Sequence, residues 1–314
     1  MLTNVLMWTG FFVVIFGMMA LDLGVFNKKS HVTSTKEAAI WTGVWVTLAV
    51  LFNVGVLFLK GQAPALEFLT GYLIEYSLSV DNIFVFIMLF SYFKVEPAYR
   101  HRVLFWGIVG ALVLRGLMIG VGAALIHQFH WIMYVFGAFL VFTGIKMAVQ
   151  KEADPDPDKN PVVVFFKRHF PVTNQYHGDQ FFVKPEGAVQ WLATPLFIVL
   201  LIVETTDIMF AVDSIPAIFA ITSDPFIVFT SNVFAIMGLR SLYFLLDGIM
   251  GLFRFLKIGL TFILCFIGIK MLIADIYHVP IVMSLGVVAG ILVISIVASL
   301  LIPASREEAK EHHH

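Results

Sequence analysis

Five carboxylates stand inside apolar stretches of this chain. Glu75 and Asp81 lie in Tyr72-Leu73-Ile74-Glu75-Tyr76-Ser77-Leu78-Ser79-Val80-Asp81-Asn82-Ile83. Glu204, Asp207 and Asp213 lie in Val203-Glu204-Thr205-Thr206-Asp207-Ile208-Met209-Phe210-Ala211-Val212-Asp213-Ser214-Ile215-Pro216. A charged carboxylate in hydrocarbon costs roughly 2.5–3.5 kcal/mol on insertion scales, so such a group calls for a partner cation or a proton. The neighbouring donors are also oxygens: the Asn82 amide, the Ser79 and Ser214 hydroxyls and the Val212 carbonyl. Hard oxygen ligands suit Mg2+, Ca2+ or Mn2+ better than Zn2+ or Cu+. No histidine lies near either motif, and Met209 is the one soft donor between the acids. Arg115 and Arg240 offer an alternative, as ion-pair partners that would fix helix packing and carry nothing. Two guanidinium groups against five carboxylates leave an excess of three negative charges, which a divalent cation, with or without protons, would neutralise.

Helical spacing decides how these groups can be presented. Glu75, Ser79 and Asn82 fall at i, i+4 and i+7, on one face. Asp81 points about 100° away from Asn82 on an ideal helix. Glu204 and Asp207 share a face at i and i+3, and Asp213 leaves it. Pro216 removes a donor and crowds the Val212 carbonyl, so a kink or break is expected there, aiming Asp207 and Asp213 at one point. Asp22 and Asp247 sit at the ends of apolar stretches, Asp22 as a vestibule candidate with Ser79, Met209 and Asn232. Lys146 and Lys270 read as snorkelling anchors, and Gly116-x3-Gly120 as a small-residue packing motif.

Composition sets the class. Of 314 residues, 60% are hydrophobic and 13% charged, and runs of about 20 apolar residues mark a polytopic all-α membrane protein. Nine spans are expected, roughly 4–26, 36–59, 66–92, 101–126, 130–149, 192–221, 226–246, 254–275 and 280–302. The first lacks a basic leader and a small-residue cleavage site, so it is expected to be retained. One cysteine, Cys265, excludes an intrachain disulfide and a thiolate metal cluster. His312–His314 resembles the remnant of a purification tag. Alternate loops and the C-terminus carry fifteen Lys and Arg, the opposite loops only Lys60. The positive-inside rule then places the N-terminus outside and the C-terminus in the cytoplasm, as expected for a bacterial inner membrane.

The long connection 151–191 holds Asp154-Pro155-Asp156-Pro157-Asp158, which is not a calcium loop. Its prolines forbid the turn, Lys159 stands where glycine is needed, and Phe165 stands where the bidentate Glu belongs. Pro161–Phe170 is expected on the membrane surface, and Gln180–Gly187 as a short hairpin.

The acidic segments belong to a repeat. Glu75-x5-Asp81-Asn82 aligns with Asp207-x5-Asp213-Ser214, Leu114-Arg115 with Leu239-Arg240, and Gly144-Ile145-Lys146-Met147 with Gly268-Ile269-Lys270-Met271. Repeat 1 covers 66–150 and repeat 2 covers 192–275, three helices each, so the second copy must enter from the other face. Helices 1, 2 and 9 lie outside it, and 1–311 forms one transmembrane domain. Inverted repeats of this kind place sites at their interface near the midplane.

Across nearly the whole chain the sequence resembles the TerC family of membrane proteins, and within it the Alx-type bacterial members. The carrying stretches are Phe68-Leu69-Thr70-Gly71-Tyr72-Leu73-Ile74-Glu75, Ser79-Val80-Asp81-Asn82, Phe210-Ala211-Val212-Asp213-Ser214-Ile215-Pro216-Ala217-Ile218-Phe219-Ala220 and Gly268-Ile269-Lys270-Met271-Leu272-Ile273. The resemblance implies export of Mn2+ from the cytoplasm, with the family's motif acids at Glu75, Asp81, Glu204, Asp207 and Asp213. The residues alone reach a hard divalent cation. A secondary transporter is expected, with Asn82 and Ser214 assisting and protons as the coupling ion. No nucleotide-binding motif, organic cofactor or nucleic-acid partner is expected, and the chain is not expected to be an enzyme. A membrane chaperone or scaffold delivering bound metal is the alternative. An intramembrane diacid hydrolase is disfavoured, since the Gly-x-Gly-Asp pattern is missing.

Overall fold

A computed structural model describes residues 2–21, 34–129, 131–149, 160–184, 190–246, 255–277 and 279–301. Of Asp81 and Phe84 it describes the backbone only. Its helices are α1 (Leu2–Leu21), α2 (Thr35–Lys60), α3 (Gln62–Tyr92), α4 (Pro97–Gln128), α5 (Ile132–Val149), α6 (Pro161–His169), α7 (Pro195–Phe219), α8 (Pro225–Met237), α9 (Leu239–Leu246), α10 (Leu256–Leu272) and α11 (Ile281–Leu301). Proline opens α4, α6, α7 and α8, where its missing N–H is not needed. Ser34 accepts from the Glu37 amide at the start of α2, and Asp224 from the Phe226 amide at the start of α8.

Seven spans, with α8 and α9 counted as one, are long and apolar enough to cross a membrane, and α1 is a further apolar helix. The 31 residues of α3 give about 46 Å of helix at 1.5 Å per residue, ample for a hydrocarbon core of about 30 Å. The protein is an all-α polytopic membrane protein. α3 and the α8–α9 span are enclosed by the rest, whereas α2, α5 and α11 present most of their surface outward.

Several boundaries differ from expectation. The stretch 192–221 begins as strand, not helix. Leu192–Ala193 (β2) pairs antiparallel with Phe182–Val183 (β1), so the strand expected inside Gln180–Gly187 finds its partner just before α7. The expected break at Pro216 is absent. Pro216 sits in the last turn of α7, where a missing donor costs one bond, and the helix runs on to Phe219. The interruption falls instead at Gly238, between α8 and α9. There the Ser241 hydroxyl donates to the Gly238 carbonyl at 2.9 Å, competing with the backbone ladder. α6 carries Lys167, Arg168 and His169 in its last turn, and its Phe166 ring packs tilted against Phe197 of α7, centroids 5.2 Å apart.

The packing has an internal order. α3 lies on α8, and α7 on α4; α3 also meets α7, α4 meets α8, and α5 runs along α10. Exchanging α3, α4 and α5 for α7, α8–α9 and α10 maps this set onto itself. The α5–α10 seam shows the same exchange in detail. A Cβ added to Gly144 would meet the Thr261 carbonyl at 3.1 Å and the Cys265 sulfur at 2.6 Å. One added to Gly268 would meet the Gly137 carbonyl at 2.6 Å and Val141 Cγ2 at 2.8 Å.

Candidate metal-ion site

The centre of the bundle is built around α4. Arg115 is 2% exposed, and its guanidinium faces α3, α7 and α8 together. Nε and Nη2 donate to Asp207 Oδ2 and Oδ1 at 3.1 and 2.9 Å, a bidentate fork that holds both partners in one plane. Nη1 donates to Glu75 Oε1 and makes longer contacts to Asn232 Oδ1 at 3.3 Å and Ser214 Oγ at 3.4 Å. Asn232 completes the ring by donating to Glu75 Oε2 at 3.0 Å. Two carboxylates therefore share one guanidinium, all three side chains shut away from solvent. The group carries one net negative charge.

The other expected residues fall around this centre, not all within it. Ser79 and Asn82 are buried on α3, as their spacing with Glu75 predicts. The Ser79 hydroxyl meets no hydrogen-bond partner among the described residues. Glu204 lies one turn before Asp207 on α7, against Gly110 of α4; its Oε2 is buried and finds no hydrogen-bond partner among the described residues. Asp213 turns the other way, to α5, where Thr143 Oγ1 donates to its Oδ1 at 3.3 Å. Because α7 does not break at Pro216, nothing swings Asp213 round to Asp207. Met209 is 61% exposed and does not face the cluster. Asp22 and Asp247 lie outside the described residues, as does the Asp81 side chain.

Arg240 occupies a different position from its repeat mate Arg115. It lines a narrow recess beside Asp207, with Phe86, Gly107 and Val203. It also lines a second narrow recess, with Glu37, His101 and Ser241. Both lie toward the end of the bundle where α2 and α4 begin.

Every group around Arg115 that could bind a cation is a carboxylate, amide or hydroxyl oxygen, the donor chemistry of a hard ion. Among the described residues, no three His, Cys, Asp or Glu side chains are gathered closely enough to share a metal ion. Arg115 holds the place a cation would take between Glu75 and Asp207. Sequence reasoning missed two contributors. Thr143 carries no charge to betray it, and Gly110 is one glycine among 23. Only the fold shows what each stands against.

The family model described as "Integral membrane protein TerC family" matches residues 60–307. A membrane protein of Myxococcus xanthus named STKORF319 is 51% identical over 295 residues, covering 94% of this chain and 92% of its own. The Alx protein of Salmonella typhi is 51% identical over 312 residues, 96% of each chain, and that of Escherichia coli K12 is 52% identical over 301 residues, 93% of each. No solved structure matches.

Proposed function

The chain belongs to the TerC family of integral membrane proteins, and from that membership together with the Arg115 crossing we propose that it is a secondary transporter exporting Mn2+ from the cytoplasm. The observation that carries this reading is the charge imbalance at the crossing of α3, α4, α7 and α8. Glu75 and Asp207 share one arginine, and Glu204 stands beside them with a buried oxygen that bonds to nothing. A buried carboxylate in excess of its cations is retained at a large energetic cost unless it binds a cation or proton in the working cycle. Mn2+ is the substrate, received by Glu204, and by Glu75 and Asp207 as Arg115 releases those two, with Asn82, Ser214 and Asn232 supplying neutral oxygens. Asp81 and Asp213 flank the site on α3 and α7. Metal binding needs deprotonated ligands and releases protons, so proton antiport follows from the same residues. The exchange-related packing of α3–α5 and α7–α10 supports alternating access around this point. The basic loops support a cytoplasmic C-terminus in a bacterial inner membrane.

The test is Mn2+ flux into proteoliposomes under an imposed pH gradient, comparing wild type with Asp213→Asn and Glu75→Gln. Saturable flux in the wild type, lost in both variants, is the expected result. Flux equal in all three would end the reading.

A metal-delivery scaffold is the second reading, favoured by the occupied guanidinium, which makes a stable ion-paired core without any flux. Retained Mn2+ binding with no counterflow would select it. The Alx relatives are described by name as a candidate membrane-bound redox modulator. In this chain Cys265 is the only cysteine, so dithiol chemistry within one chain is excluded and a redox effect would have to act through the metal.

A further inference from the structure

Three glycines on α4, Gly107, Gly110 and Gly122, face α7. A Cβ on Gly107 would meet Val203 Cγ1 at 3.0 Å, and one on Gly122 would meet Phe219 Cε2 at 2.8 Å. At Gly110 the opposing group is not apolar. Both carboxylate oxygens of Glu204 occupy the space a Cβ would fill, closer than real Cβ contacts allow. A carboxylate laid on glycine backbone is an unusual use of a close-packing position, because the same face receives Val203 and Phe219 elsewhere. Among the acids whose side chains are described, Glu75 and Asp207 are held by Arg115 and Asp213 by Thr143. Among the described residues Glu204 has no such tether, and its buried Oε2 finds no hydrogen-bond partner. A cation can engage Glu204 without first displacing a guanidinium or a hydroxyl donor.

We propose that Gly110 is a positioning residue for cation capture: its missing side chain forms the seat that holds the Glu204 carboxylate beside Asp207, where Glu204 takes the incoming divalent cation before Arg115 lets go of Asp207. The inference rests on the transport reading above and adds an order of events to it. The cation binds first at Glu204. Asp207, one turn on, is drawn from the guanidinium fork to the cation, and Glu75 follows because it shares that guanidinium. The seat also limits size. A methyl group at 110 does not meet backbone but the far end of a flexible side chain, so Gly110→Ala displaces Glu204 rather than prying the helices apart.

The experiment compares wild type, Gly110→Ala, Gly110→Ala/Glu204→Asp, Glu204→Gln and Gly122→Ala, by Mn2+ flux in proteoliposomes and by Mn2+ titration calorimetry on the detergent-purified proteins. Gly110→Ala is expected to raise KM about tenfold with kcat nearly kept and to weaken calorimetric binding in parallel. Shortening Glu204 by one methylene in the double variant makes room for the methyl and returns KM toward wild type. Gly122→Ala, also crowded but by the Phe219 ring at 2.8 Å, is expected to lower thermal stability and leave KM unchanged. An unchanged KM in Gly110→Ala, an equal rise in Gly122→Ala, or no rescue in the double variant overturns the seat. Glu204→Gln keeps the shape and removes the charge, so it reports even where Gly110→Ala does not fold; unaltered Mn2+ affinity there overturns capture by Glu204. Wild-type binding without flux, with Gly110→Ala weakening that binding, retires transport and leaves the seat standing. Wild type without binding retires both.

Discussion

Arg115 illustrates how much a single buried side chain can decide. Its guanidinium joins Glu75 of α3, Asp207 of α7 and Asn232 of α8 at one point. Removing one partner of a buried ion pair leaves charge uncompensated and costs about 3–5 kcal/mol. Arg115→Ala is therefore expected to lower the thermal unfolding midpoint of the detergent-purified protein sharply. Arg115→Lys should recover little of that loss, since an ammonium cannot reproduce the planar fork on Asp207. A lysine variant as stable as wild type would show that charge alone suffices. Thr143→Val removes the contact to Asp213 and should cost on the order of 1 kcal/mol, read as a small shift in the same melt. The sequence displayed Glu75, Arg115, Asp207 and Asn232 individually, and their types made a buried, oxygen-rich charged cluster legible. Which acid the arginine holds was not legible. That depends on the rotation of α4 about its axis, set by many weak apolar contacts along 32 residues and by no local motif.

At the scale of elements, hydrophobic runs told where helices lie but not where they are interrupted. Pro216 looked like a breaker and lies harmlessly in a last turn, whereas Gly238 and Ser241 together divide α8 from α9. Proline's effect depends on how many turns follow it, which is fixed by where Ala220 ends the helix. The Gly144–Gly268 correspondence, by contrast, was visible as a repeat, and the fold shows its use in the α5–α10 seam. Since Gly268 faces the Gly137 carbonyl and the Val141 amide, Gly268→Ala pushes on backbone that cannot rotate away. Overpacking of this kind costs about 1–3 kcal/mol. Gly120→Ala, which meets nothing within 4 Å, is the matched control and should leave stability unchanged. Equal melting behaviour of the two variants would count against a tight seam.

For the whole molecule, the charge of the loops makes the orientation testable. Lys184 lies in the connection between α6 and α7, close to β1, and Arg102 at the start of α4 pairs with Asp179 of that same connection at 2.5 Å. With Lys184→Cys, an impermeant maleimide should react only after the inner membrane is opened, in whole cells of a bacterial host. Labelling in intact cells with a permeabilised outer membrane would invert the proposed direction of export. At the other end of the bundle, Lys60 closes α2 onto Asp224, the residue that caps α8.

The seam between α5 and α10 has a mechanical meaning. Where two helices meet through side chains, they can ratchet past one another by changing rotamers. Here glycine on each helix meets backbone on the other, with only Cys265, Val141 and Leu272 beside the contact, so little is left to repack. In the proposed transport cycle the pair would serve as an axle. Rearrangement around Arg115 would then fall to α3, α4, α7 and α8, and small angular play at the axle would become a larger opening at the distant rims, as with any lever turning on a stiff bearing.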